Sequence, residues 1–160
     1  MYDQVATQKT HKVIVNNGVF PSEMLTVDPI PGQPGVYRVE SIPFISRNVS
    51  YGDIISAEAD GTSRYPAFTS VKTPSGNSTV SLLLREKLDI GGRAEARVYF
   101  RLLIEAGCMM ESHEDRIYTF NIPREIFGEA VSIFSQGERK GLWTTGTLAI
   151  ALTFKPSRRS

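Results

Sequence analysis

The polar segment T-P-S-G-N-S-T-V, at residues 73–80, lies between two apolar runs and has the residue types of a ligand-contacting loop. A phosphate cradle needs backbone N–H groups that converge from a glycine-rich loop at the start of a helix. Here an alternating apolar pattern begins at Val80, which predicts a strand, and no lysine follows the glycine as in a P-loop. Two interpretations stay open: a turn in which Gly76 and Asn77 take positive φ, and a loop that contacts a ligand or a partner.

Other polar side chains could act together with this loop, above all those of the Y-G-D turn at residues 51–53. We expect ligand or partner contact at six positions: Tyr51, Asp53, Asn77, Ser78, Thr79 and Glu111. The remaining carboxylates are scattered, and Glu23, Glu40 and Glu58 occupy strand positions that are expected to point outward. No nucleophile, base and orienting group come from one region of the chain. We therefore assign no catalytic residue, and an enzyme is the less favoured interpretation.

Cys108, Glu111 and His113 include the side-chain types of a metal site or of a Cys–His dyad. Strand alternation separates them, because Cys108 then points to one side of the sheet while Glu111 and His113 point to the other. Cys108 is expected to be a small buried hydrophobic residue. The chain has two histidines and no G-x-G-x-x-G or H-E-x-x-H motif, so we predict neither a metal nor a cofactor.

The charge balance limits the classes of partner. The 160-residue chain has 18 basic and 17 acidic residues and a formal net charge of +1. Nucleic-acid-binding proteins usually have a basic excess, which here is confined to a tail at residues 155–160. The single cysteine excludes an internal disulfide, the start of the chain lacks a signal-peptide pattern, and no apolar run approaches the roughly 20 residues of a membrane helix. We expect a cytoplasmic protein with no membrane partner, for which nucleic acid is an unfavoured partner.

The first half of the chain has the pattern of a small β-barrel. After a polar start at residues 1–10, which is expected to be flexible, short apolar-alternating runs recur with proline and glycine turns between them. No helical period interrupts these runs. The pattern predicts a small β-barrel-like lobe over residues 11–78.

The second half of the chain changes to a helical period. Apolar residues at helical spacing form a first stripe of Tyr99, Leu102, Leu103 and Ala106, and a second stripe of Ile126, Ala130, Ile133 and Phe134. Gly107 stands where a helix C-cap is expected, and Pro123 stands at the favoured first position of the second helix. With strands around the helices and a last strand at residues 143–154, the order is βαββαβ. This predicts an α+β protein whose second lobe, residues 79–154, is ferredoxin-like and is followed by the basic tail.

The third strand of this lobe invites comparison with RNA-recognition domains, which share the strand order. Arg116, Tyr118 and Phe120 match the basic and aromatic positions of their base-stacking motif. Ile117 and Thr119 replace its glycines, and the first strand lacks the companion aromatic residue. Tyr118 and Phe120 are therefore expected to pack against the barrel lobe or against a partner.

Several stretches together resemble the bacterial domain-of-unknown-function family 4265. The matching residues are V-E-S-I-P-F-I at 39–45, V-S-Y-G-D-I-I at 49–55, S-G-N-S-T at 75–79, A-G-C at 106–108 with Glu111, N-I-P at 121–123 and G-L-W at 141–143. The resemblance covers roughly residues 20–145 and implies a small bacterial cytoplasmic protein with no activity to carry over. Asn77 stands where the family often has histidine, so a proton-transfer role is not expected at this position.

Three functions follow as expectations. The first is a non-catalytic protein that binds another protein as an inhibitor, such as an immunity protein that neutralises a bacterial toxin. The second is a small-ligand-binding protein or enzyme with a pocket between the two lobes, built from the six contact residues given above. RNA binding comes third. The oligomeric state does not follow from the sequence.

Overall fold

The structure is a computed structural model that describes residues 11–114 and 116–146. Within these ranges the chain has a mixed α+β fold, with a closed five-stranded barrel followed by a four-stranded sheet and two helices. Each sheet has its own cluster of buried apolar side chains. The predicted α+β class and the N-terminal barrel are confirmed. In the described ranges, no helix combines the length and apolarity needed to cross a membrane.

The barrel is built from short strands whose β-branched residues alternate between the interior and the surface. Its strands are β1 (His11–Asn17), β2 (Phe20–Pro29), β3 (Val36–Val39), β4 (Ile54–Glu58) and β5 (Ala67–Thr73). Consecutive strands pair antiparallel, and the barrel closes where β1 runs parallel to β5 with Ile14 opposite Ala67. Val13 and Val15 are buried on either side of Ile14, as a period of two requires. Closure leaves this sheet without a free edge.

Four residues separate β5 from β6, the first strand of the second lobe. Its elements are β6 (Ser78–Leu84), α1 (Ile90–Ala106), β7 (Met109–Glu114), β8 (Ile117–Ile122), α2 (Phe127–Arg139) and β9 (Trp143–Gly146). The strand order is β7-β8-β6-β9, and each neighbouring pair is antiparallel. Both helices share one apolar cluster with the sheet, so they cover the same face. The division of the chain at residues 78 and 79 stays a prediction, as do the flexible start and the basic tail.

Helix α1 ends at Gly107 as predicted but buries a slightly different face. Asp89 caps its N-terminus by accepting a 2.6 Å hydrogen bond from the Gly92 N–H, and Gly107 ends it with φ +123°. The buried residues of the helix are Ala96, Tyr99, Phe100 and Leu103. The prediction placed Leu102 in this stripe, but Leu102 is 44% exposed. Phe100 takes its place, because its ring packs against the rings of Phe120 and Trp143 at 5.5 and 5.6 Å.

Helix α2 starts later than predicted. Pro123 is extended, with ψ 144°, and a 3-10 turn at Arg124–Ile126 precedes the α-helix. The predicted stripe is confirmed, because Ala130 and Phe134 are buried while Ile126 and Ile133 pack against the same apolar cluster.

Trp143 fixes the position of α2 on the sheet. Its side chain is fully buried, and its Nε1–H donates a 3.1 Å hydrogen bond to the Phe134 carbonyl. The helix passes so close at Gly137 that a Cβ there would lie 2.0 Å from Trp143 Cζ2. The predicted last strand begins at this tryptophan, as β9 does, and its continuation over residues 147–154 lies outside the described residues.

Candidate functional site

The Y-G-D turn and the S-G-N segment meet in one hydrogen-bonded cluster where the chain leaves the barrel. We call Ser50, Tyr51, Asp53, Ser75 and Asn77 the exit clasp. The buried carboxylate of Asp53 accepts one hydrogen bond from the Ser50 N–H at 2.9 Å and another from the Ser75 N–H at 2.7 Å. Each carboxylate oxygen therefore binds one backbone amide, an arrangement in which a buried carboxylate is stabilised by charge-assisted hydrogen bonds.

The backbone carbonyl of Tyr51 forms the second half of the exit clasp. It accepts hydrogen bonds from Ser75 Oγ at 2.8 Å and from Asn77 Nδ2 at 2.9 Å, while Ser75 Oγ accepts from the Asn77 N–H at 3.1 Å. Side-chain groups that a ligand could use are thus engaged in holding two loops together. Tyr51, Asp53 and Asn77, three of the six predicted contact residues, lie in this cluster.

Two glycines allow the loops of the exit clasp to approach each other. Gly52 has φ +83°, and a Cβ there would lie 3.3 Å from both Asn77 Nδ2 and Ser75 Cβ. Gly76 has φ +84°, as the turn interpretation predicted. The prediction that Asn77 also takes positive φ is wrong, because every described residue with positive φ is a glycine. Asn77 instead leads directly into β6.

The other three predicted contact residues lie on the second sheet. Ser78 and Thr79 are buried at the start of β6. Thr79 is opposite Asn121 of β8, and among the described residues neither Thr79 Oγ1 nor Asn121 Oδ1 has a hydrogen-bond partner. Glu111 lies on β7 with its Oε1 3.5 Å from the Ile42 N–H of the barrel lobe. None of the six lines any of four cavities of about 400–650 Å³ among the described residues, and their contact with a ligand or partner stays a prediction.

Residues 42–46, which we call the bridging segment, lie between the two lobes. Glu23 of β2 holds the segment, because its carboxylate accepts hydrogen bonds from three successive backbone amides, those of Phe44, Ile45 and Ser46, at 2.5, 3.0 and 2.8 Å. The prediction that Glu23 points outward is wrong. Its spacing from Leu25 and Val27, both buried, places it on the inward side of β2, and this spacing could have revealed its orientation.

The bridging segment also contacts the second sheet, on the face that the two helices do not cover. The ring of Phe44 stacks on His113 of β7 with centroids 4.3 Å apart and planes inclined by 23°. His113 Nε2 is in turn 2.8 Å from Thr119 Oγ1 on β8. His113 and Glu111 therefore contribute to contact between the lobes, on the face that strand alternation predicted for both.

A cleft of about 600 Å³ opens between the lobes beside the bridging segment. We call it the interlobe cleft. Its lining includes Phe20, Phe44, Ile45, Arg47, Asn48 and Ser81. Phe20 is 55% exposed, and the Arg47 guanidinium lies over its ring at 5.7 Å from the centroid. Sequence reasoning missed this cleft, because its walls come from three segments that are far apart in the chain.

Cys108 is buried against the apolar cluster of the second lobe, as predicted. Burial raises the pKa of its thiol to about 11, and the negative charge of Glu129 adds to the effect. A thiol with this pKa is protonated at neutral pH and is a poor nucleophile. Within the described ranges, no three His, Cys, Asp or Glu side chains come together as metal ligands could.

Tyr118 and Phe120 do not lie where an RNA-recognition motif would need them. Both rings face the helices, and Phe100 of α1 packs against them at centroid distances of 4.9 and 5.5 Å. The prediction that they pack against the barrel lobe or a partner is wrong, because odd-numbered residues of β8 face the barrel and even-numbered residues face α1. Base stacking through this pair would require an open sheet face.

Comparison with known proteins confirms the resemblance read from the motifs. The model of the family described as Domain of unknown function (DUF4265) matches residues 23–145. A solved structure of a hypothetical protein from Neisseria gonorrhoeae is similar, with a TM-score of 0.70 and 15% identity, over 88% of this chain and 94% of that one. Identity this low shows a shared fold alone. No curated protein matches the chain.

Proposed function

The chain belongs to the DUF4265 family of domains of unknown function, and from this premise we propose that it is a non-catalytic protein-binding domain that docks a partner protein in its interlobe cleft. The observation that carries the proposal is the exposed pair Phe20 and Phe44 with Arg47 at the mouth of the cleft. Aromatic and arginine side chains are the residues that most often dominate binding energy at protein interfaces.

The side chains that line the interlobe cleft indicate which kind of partner segment would fit it. Phe20, Phe44 and Ile45 provide an apolar wall for one large apolar side chain. The guanidinium of Arg47 lies beside this wall and suits a carboxylate next to that side chain. Asn48 can hydrogen-bond to the backbone of a bound segment, whereas Asn16 Oδ1 already accepts from Ser22 Oγ and Asn17 Nδ2 already donates to the Pro21 carbonyl. We therefore expect a protein partner that inserts an apolar residue flanked by Asp or Glu.

A protein that acts only by occupying such a surface would serve as an inhibitor. Specifically, we propose an immunity protein that neutralises a bacterial toxin in the cytoplasm. The engagement of the Asp53 carboxylate and the Asn77 side-chain amide in the exit clasp supports a binding role over a catalytic one.

The experiment compares cleft variants with a matched surface variant. A partner captured from the native host would be purified, and its affinity for the wild-type chain would be measured by calorimetry. Phe20→Ala and Arg47→Ala should each weaken binding by at least about tenfold, because a truncated hot-spot residue costs more than about 1.4 kcal/mol. Leu102→Ala removes a similarly exposed apolar side chain from α1, 44% against 55% for Phe20, and should change the affinity by less than about twofold.

Two results would overturn the proposal. One is that no purified protein binds the chain in a saturable manner. The other is that a genuine partner binds the Phe20→Ala and Arg47→Ala variants as tightly as it binds the wild type, since its site would then lie elsewhere.

A second candidate is small-ligand binding in the same cleft. Its volume, about 600 Å³, is within the range of small-molecule sites. In this case an apolar fragment with a carboxylate would bind the isolated chain and would lose affinity in the Phe20→Ala variant. A chain that binds a partner protein but no such fragment would exclude this second candidate.

We also propose that the second lobe is ferredoxin-like. The strand order β7-β8-β6-β9, with all neighbouring pairs antiparallel and both helices on one face, supports this assignment. An experimental structure of the full chain, including the continuation of β9, would test it.

A further inference from the structure

A second cavity, of about 650 Å³, lies in the second lobe between the first half of α1 and the sheet. Four arginines line it: Arg85 at the end of β6, Arg93 and Arg97 on α1, and Arg116 next to β8. We call it the arginine cleft. It is distinct from the interlobe cleft, since the two cavities share no lining residue.

The arginine cleft concentrates positive charge in a protein that is almost neutral overall. Glu86 is the one acidic residue among its lining residues, so four guanidinium groups and one carboxylate give a net charge of +3. Among residues 11–114 and 116–146 the one ion pair joins Lys140 to Glu95, so no described carboxylate lies within ion-pair distance of the four arginines. Glu114 lines a smaller adjoining cavity together with Arg116.

The positions of the arginines suit recognition of an oxyanion. Arg93 and Arg97 are one helical turn apart, so their side chains emerge on the same face of α1. Arg116 is half-buried, and its Nη1 lies 3.4 Å from the Leu84 carbonyl, which orients the guanidinium at the end of the sheet. Guanidinium groups bind phosphate and carboxylate oxygens through paired N–H donors.

The floor of the arginine cleft is apolar and aromatic. Phe100 and Tyr118 line it with their rings 4.9 Å apart, and Met110 lies beside them. Phe100 is only 7% exposed whereas Tyr118 is half-buried, so Tyr118 provides most of the aromatic surface that a ligand could contact. A ligand bound here would have an apolar or ring-shaped part on this floor and its negative charge among the arginines.

We propose that the arginine cleft binds a small organic phosphate of the nucleotide class, with the phosphate held by Arg93, Arg97 and Arg116 and the base or ring part on Phe100 and Tyr118. The volume of the cleft lies in the range of small-molecule sites, and an inorganic anion would leave its apolar floor uncovered. The formal net charge of +1 does not favour a nucleic-acid chain as the ligand, because nucleic-acid-binding proteins usually have a basic excess.

The test measures binding of AMP, ATP, inorganic pyrophosphate and a single-stranded RNA oligonucleotide by calorimetry at a fixed salt concentration. The site variant is Arg93→Gln combined with Arg97→Gln, and the matched control is Arg101→Gln. All three arginines are exposed on α1, but Arg101 does not line the cleft. Because these side chains are on the surface, the variants should keep the wild-type circular dichroism spectrum and melting temperature.

We expect saturable binding of AMP or ATP to the wild type, more tightly than pyrophosphate. The double variant should lose affinity by roughly a hundredfold, about tenfold for each charge-assisted hydrogen-bonding group removed, and the control variant by less than about twofold. Absence of saturable binding by either nucleotide would overturn the proposal. Equal losses in the double variant and in Arg101→Gln would also overturn it, as would RNA binding that is tighter than nucleotide binding.

Discussion

The exit clasp allows a sharp test of whether Asp53 is a structural or a ligand-binding residue. The substitution Asp53→Asn keeps the shape of the side chain but replaces one acceptor oxygen by an NH₂ group. Asp53 is 5% exposed, and its two oxygens accept from the Ser50 and Ser75 amides at 2.9 and 2.7 Å. Whichever way the asparagine amide turns, one of these two N–H groups faces another donor and loses its partner.

The cost follows from the contacts. An unpaired buried N–H costs about 1–3 kcal/mol, and the surviving hydrogen bond weakens because its acceptor is no longer charged. Asparagine avoids the desolvation of a buried carboxylate, which offsets part of this loss. We expect a net destabilisation of roughly 2–3 kcal/mol, which for a domain of this size lowers the melting temperature by about 5–10 °C.

Urea unfolding and amide hydrogen exchange would measure the effect. The control is Asp28→Asn, because Asp28 is an exposed residue of β2 and its substitution should stay within about 0.5 kcal/mol of the wild type. In the Asp53→Asn variant the amide of either Ser50 or Ser75, whichever faces the new NH₂ group, should exchange faster than in the control. If the urea midpoint and the protection of both amides matched those of the control, the structural reasoning would be wrong, and Asp53 would again be a candidate ligand-contacting group.

Two further outcomes follow from the second lobe. Gly137→Ala should destabilise the protein by about 2 kcal/mol or more in urea unfolding, since its Cβ would lie 2.0 Å from Trp143 Cζ2 and this overpacking outweighs the gain of about 1 kcal/mol in helix propensity. The control is Gly128→Ala in the same helix, which should be stabilising because its Cβ meets no atom within 4 Å. Equal effects at both sites would contradict the packing of α2 against Trp143. Burial raises the pKa of the Cys108 thiol from 9.0 to about 11, so native protein should react slowly with iodoacetamide at pH 8. Between pH 9 and 11 the thiol ionises in the unfolded chain but stays protonated in the folded one, so its contribution to the free energy of unfolding is present below pH 9 and is lost as the pH rises toward 11. A Cys108→Ala variant whose free energy of unfolding had the same pH dependence as that of the wild type would refute this.

The predictable parts of the fold are those that depend on local pattern. The strands of the barrel follow from alternating apolar residues, and the C-terminal end of α1 follows from Gly107, because caps and periodicity act over a few residues. The predictions were wrong where a contact with residues far away in the sequence determined which of two nearby side chains is buried. Phe100 displaced Leu102 from the buried stripe because the rings of β8 and β9 favoured an aromatic partner.

The candidate site was predictable only in its residue types. The Y-G-D and S-G-N-S-T motifs stand out in the sequence, but their contact with each other depends on hydrogen bonds between residues more than 20 positions apart, such as that from the Ser75 N–H to Asp53. The same reason hid the role of Glu23, whose three amide donors come from the bridging segment. Hydrophobic periodicity predicts which face of a strand a side chain lies on, but it does not predict which loop the side chain will contact.

The exit clasp also has a consequence for the order in which the chain acquires structure during synthesis. Its five residues all precede β6, so the hydrogen bonds of Asp53 and of the Tyr51 carbonyl can form as soon as residues 50–77 have left the ribosome. We expect the direction in which β6 leaves the barrel to be set before α1 or β8 exists. The first lobe would then orient the growing end of the chain, and the second sheet would be assembled onto a strand whose position is already fixed.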